Sequence, residues 1–215
     1  MIGKILREGL LSMVLLTMAL TSIVPANAAP KSLMLYGDSL MAGLGLPSDD
    51  AFAAQLRNAL QKDGYEVTIV NASVSGDTSG AALARLDWTL AETPDAVLLG
   101  LGGNDMLRGL SPQSMQENLR SILTRLENQG VPVLLLGMRA SPSLGDDYVS
   151  AFDAVFPSLA AEFNVPFYPF FLEGVALDPS LNQSDRIHPN AQGVKRMVAG
   201  VLPMVEKLLD AAPSR

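Results

Sequence analysis

The chain has 215 residues, 48% hydrophobic and 17% charged, with a formal net charge of −7 and no cysteine. That balance suits a globular domain with a sizeable core and excludes a disordered chain. It also excludes disulfide staples, thiolate chemistry and cysteine-based metal sites, and without a basic stripe nucleic acid is a poor partner.

Residues 1–28 follow the three-part plan of a secretory signal peptide. Lys4 and Arg7 make a basic start, Leu10 to Val24 form an uncharged apolar stretch, and Ala26-Asn27-Ala28 presents small residues for cleavage. The stretch is short for a membrane span of ~20 residues, and Pro25 interrupts it, which disfavours an uncleaved anchor. The expected cut after Ala28 leaves one domain, residues 29–215, with 13 basic and 21 acidic residues and a net charge of −8. A periplasmic or secreted protein, monomeric and without a stable membrane span, is expected.

Beyond residue 28, short apolar runs alternate with amphipathic stretches. The first run, 33–38, ends at Gly37-Asp38-Ser39-Leu40. A helix is expected over 49–62, capped by Ser48 or Asp49 and stopped by Gly64. The second run, 65–72, leads into Ser75-Gly76-Asp77-Thr78 and a helical stretch at 78–92. The third, 95–103, ends in Gly102-Gly103-Asn104-Asp105 and is followed by a helix at 112–129, introduced by Ser111-Pro112. The fourth run, 131–138, precedes a helix at 147–164. The fifth, 165–170, leads through Asp185 and His188 to a last helix at 190–211. Near-continuous apolar runs read as parallel strands buried on both faces. Their alternation with helices implies a three-layer α/β/α sandwich around a five-stranded parallel sheet.

In such sheets ligands bind beyond the carboxyl ends of the strands. Acyl transfer asks for a hydroxyl nucleophile, an imidazole base, an orienting carboxylate and oxyanion donors. Ser39, His188 and Asp185 fit the first three roles. The backbone N–H groups of Ser39 and Gly76 and the side-chain amide of Asn104 fit the fourth. Each motif alone also reads as a turn or helix cap. His188 tips the balance: it is the chain's one histidine and falls in a polar loop. One histidine without cysteine also speaks against catalytic zinc, and neither metal nor cofactor is expected. No G-x-S-x-G elbow, dinucleotide fingerprint or Walker loop is present.

The four motifs, GDSL at 37–40, SGDT at 75–78, GGND at 102–105 and DRIHP at 185–189, resemble those of the SGNH or GDSL hydrolases. The resemblance covers essentially the whole chain after residue 28. Segments 70–86, 101–110 and 156–175 are similar to a periplasmic branch with thioesterase, protease, lysophospholipase and arylesterase activities. It implies a sheet order of 2-1-3-4-5 and assigns the same five residues the same roles. Esters and thioesters, including aryl esters and lysophospholipids, are the implied substrates. Met106, Leu107 and Leu110, directly after Asn104, are candidates to line the acyl chain, with ordinary packing as the alternative. A carbohydrate O-deacetylase and an exported ligand-binding module with an inert site are the rival readings. The aliphatic rim loops disfavour the first, and covalent labelling of Ser39 separates the second.

Overall fold

The computed structural model describes residues 30–213, so the signal peptide expected at 1–28 lies outside the described residues. Among the described residues, five parallel strands form one sheet: β1 (Lys31–Gly37), β2 (Val67–Asn71), β3 (Ala96–Gly100), β4 (Val133–Leu136) and β5 (Phe167–Tyr168). Their order is β2-β1-β3-β4-β5, as the resemblance implies. β1 pairs with β2 on one side and β3 on the other, with Leu35 opposite both Asn71 and Leu98. Every residue of β3 and β4 is buried, which explains their unbroken apolar sequences.

Among the described residues, seven α-helices accompany the sheet. They are α1 (Ser39–Ala42), α2 (Phe52–Lys62), α3 (Ser79–Thr89), α4 (Gly103–Leu107), α5 (Pro112–Asn128), α6 (Asp146–Phe163) and α7 (Ala191–Ala211). α2 packs against α7, while α5 packs between α3 and α6, giving the two outer layers. The expected three-layer α/β/α architecture is therefore what the chain adopts.

Local chemistry accounts for the differences from expectation. Ser48–Asp50 form one 3₁₀ turn, and the extended Ala51 (ψ 154°) separates it from α2. α2 therefore starts at Phe52 without the side-chain cap expected from Ser48 or Asp49. α5 does use Ser111, which accepts from the Ser114 N–H, with Pro112 in the first turn. β2 is an edge strand, and Val70 is exposed despite its apolar run. β5 is reduced to two residues by Pro166 and Pro169 on either side, since proline supplies no ladder N–H. The switch point of this order lies between β1 and β3. The two short helices, α1 and α4, begin there, just past the ends of those strands.

Candidate active site

Asp38 follows β1 and caps α1, its carboxylate accepting from the Leu40 N–H at 3.1 Å. Ser39 therefore opens α1, where a backbone N–H has no intrahelical acceptor, and the residue is 9% exposed. From the loop before α7, His188 Nε2 lies 2.9 Å from Ser39 Oγ. His188 Nδ1 lies 2.6 Å from Asp185 Oδ2. The other Asp185 oxygen accepts the N–H groups of Ile187 and His188 at 2.9 and 3.0 Å. Arg186 takes φ +60° between them. This left-handed conformation costs a non-glycine residue about 1 kcal/mol and helps curl the loop so that both N–H groups reach one carboxylate. The His188 N–H and ring, followed by the Ile187 N–H, lower the Asp185 pKa to about 2.

Gly76 sits in the 74–77 turn, closed by the Asp77 N–H on the Val74 carbonyl at 3.1 Å. Its φ of +88° is the third-position conformation of a type II turn, which disfavours any side chain. Three further contacts hold this turn. Arg108 donates to the Gly76 carbonyl at 2.7 Å. Arg85 Nε donates to the Asp77 carboxylate at 2.7 Å while its guanidinium lies 4.4 Å over the Tyr36 ring. The Asn104 amide donates to the Asp77 carbonyl at 3.0 Å and approaches Asp38 Oδ2 at 3.4 Å. The fold thus brings Ser39, Gly76, Asn104, Asp185 and His188 to one rim. Leu107 and Leu110 are exposed there, whereas Met106 is half-buried against the core and matches the packing alternative better.

Beside Asp77, two further buried carboxyls in this network were not singled out by sequence reasoning. Asp105, 2% exposed, accepts from the Ser79 N–H at 2.8 Å and the Ser79 hydroxyl at 2.6 Å. It therefore ties the start of α3 to α4 and fixes the Gly76 turn relative to Asn104. Asp105→Ala strands both donors in a buried site. It is expected to cost about 2–4 kcal/mol, read as a lower urea midpoint, and to lower kcat by misplacing Asn104. The second is Asp38. Burial raises its pKa from 3.8 to about 6, against the opposing Leu40 N–H and His188. The folded state therefore binds this proton more tightly than the unfolded chain. Stability from this group is complete below pH 4 and declines as pH rises from about 4 to 6. Asp38→Asn keeps the cap acceptor and removes the ionisation. Its unfolding free energy is expected to lose about 3 kcal/mol less than the parent's between pH 4 and 7, measured by urea titration at each pH. Both acids are legible only as neighbours of the named residues, in Gly-Asp-Ser-Leu and Gly-Gly-Asn-Asp.

A strand-end serine, an imidazole and a carboxylate in hydrogen-bonded series, on a parallel α/β/α sheet, define the class: a serine hydrolase. Residues 35–196 match the family model described as GDSL-like Lipase/Acylhydrolase. The chain is 41% identical over 206 residues to the protein named Esterase TesA of Pseudomonas aeruginosa, covering 95% of this chain and 98% of that one. It is 44% identical over 164 residues to Thioesterase 1/protease 1/lysophospholipase L1 of Escherichia coli K12, covering 76% and 77% respectively. A crystal structure of TesA superposes with a TM-score of 0.79 at 41% identity, covering 83% of this chain and 99% of that one. A crystal structure of AlinE4, an SGNH-hydrolase family esterase, matches with a TM-score of 0.71 at 43% identity, covering 84% and 97%. The chain belongs to the GDSL, or SGNH, hydrolase family, and it is an esterase of that family.

Proposed function

We propose that the protein hydrolyses carboxylic esters and thioesters of small acyl-bearing molecules through an acyl-enzyme on Ser39. The Ser39–His188–Asp185 series at 2.9 and 2.6 Å is the observation that carries this reading. With its Nδ1–H donating to Asp185, His188 presents Nε2 as an acceptor, takes the Ser39 proton and lets Oγ attack the carbonyl carbon. The oxyanion that forms is met by the N–H groups of Ser39 and Gly76 and by the Asn104 amide, which exchanges its longer contact to Asp38 for the new one. His188 returns the proton to the leaving alcohol or thiol, then activates the water that releases the acid. Leu107 and Leu110 border the acyl chain on the exposed rim.

The names of the relatives support aryl esters, acyl thioesters and lysophospholipids as substrates, since all three present the same carbonyl. Export through the signal peptide at 1–28 favours esters over cytosolic thioesters as the natural substrates, and no helix among the described residues is long and apolar enough to cross a membrane. Hydrolysis of p-nitrophenyl esters from C2 to C16, alongside acyl-CoA and lysophosphatidylcholine, tests the reading. Turnover across this panel is expected, and no turnover of any member would refute it.

A further inference from the structure

Ser39 and His188 are 149 residues apart in sequence, and each sits on a connection rather than in a strand. Their 2.9 Å approach therefore depends on what joins the two segments. On the nucleophile side, the Leu44 and Gly43 N–H groups both donate to the Ser39 carbonyl, at 3.3 and 3.1 Å. The Leu44 carbonyl is in turn taken by Gln183 Nε2 at 2.8 Å. The same amide nitrogen donates to the Pro189 carbonyl at 3.0 Å, one residue past His188. Gln183 also grips the loop through its backbone: its N–H donates to the His188 carbonyl at 2.8 Å, and its own carbonyl accepts from the Arg186 N–H at 3.0 Å. The side chain also lies against Gly45, where a Cβ would meet Gln183 Oε1. One amide thus ties the segment that follows Ser39 to the residue that follows His188. The other glutamine tie, from Gln55 to the Ala191 carbonyl at 3.1 Å, holds the start of α7 rather than the loop.

We propose that Gln183 is a positioning residue that sets the distance and angle between nucleophile and base by bolting the histidine loop to the nucleophile segment. This rests on the reading of Ser39 and His188 as nucleophile and base. Gln183 touches neither substrate nor reacting atoms. Its loss lets the loop drift while Ser39, the oxyanion donors and the rim stay in place. The expected signature is a fall in kcat with little change in KM, since a displacement of about 1 Å in a catalytic pair costs on the order of 100-fold.

The test uses Gln183→Met, which fills the same space without donors, and Gln183→Asn, which keeps the amide but draws it back by one methylene. Both are assayed on p-nitrophenyl butyrate, with kcat expressed per serine titrated by an organophosphonate so that misfolded protein drops out. Q183M is expected to lose roughly 10- to 100-fold in kcat with KM within twofold, and Q183N to lie between it and the parent. A kcat of Q183M within twofold of the parent overturns the proposal, as does a loss carried by KM. If the parent itself neither turns over the ester nor forms the adduct, the underlying reading fails too.

Discussion

Replacing Ser39 with alanine is expected to lower kcat on p-nitrophenyl esters by roughly 10⁴- to 10⁶-fold while leaving the thermal midpoint nearly unchanged. The asymmetry follows from where Ser39 sits. Its hydroxyl makes one contact, to His188 at 2.9 Å, and the cap that starts α1 is supplied by Asp38. Alanine is also the strongest helix former for the position. Removing the hydroxyl therefore removes the proposed nucleophile and little that folds the chain. The activity left should reflect only the oxyanion donors and binding. A variant within tenfold of the parent would show that another group attacks the carbonyl.

Asp185→Asn is expected to lower kcat by about 10³- to 10⁴-fold with the fold retained. Asp185 serves two sets of donors at once, the His188 ring on one oxygen and two backbone N–H groups on the other. An asparagine has one oxygen. If it keeps the backbone donors, its NH₂ faces Nδ1, favours the tautomer protonated on Nε2 and leaves no acceptor for the Ser39 proton. If the amide flips, the backbone clamp opens and the loop moves. Either arrangement disables His188 as the proposed base, so both kcat and the rate of covalent labelling at Ser39 should fall together. The pH profile follows from the same contacts. With its pKa lowered to about 2, Asp185 remains ionised wherever imidazole chemistry operates. Stability from Asp185 is present above pH 4 and is lost as pH falls toward 2.

Much of this was legible in the residues because the physics behind it is local or strongly patterned. The apolar runs that became β1, β3 and β4 are continuous because both faces of these strands are buried. Helical periodicity survived even Pro157 in α6 and Pro203 in α7. The candidate site was legible for a different reason: ligand sites of parallel sheets gather at strand ends, and the chain has one histidine to place there. What escaped was whatever depends on three-dimensional partners. The short helices α1 and α4 are too brief to show a period. The edge position of β2 is a property of the sheet order, and Val70 reads like any buried valine until that order is known. Asp38 and Asp105 look like turn acids, and only burial reveals them as structural members of the site. Gln183 carries no signal in sequence, because its two acceptors are carbonyls, one of them 139 residues away.

Intact-mass and peptide mapping after treatment with a p-nitrophenyl organophosphonate tests the central claim most directly. A nucleophile activated by His188 and faced by oxyanion donors should release one equivalent of p-nitrophenol and carry one phosphonyl group on Ser39. The labelling should vanish in Ser39→Ala and slow in Asp185→Asn. No adduct, or an adduct on another residue with Ser39 unmodified, would contradict the account.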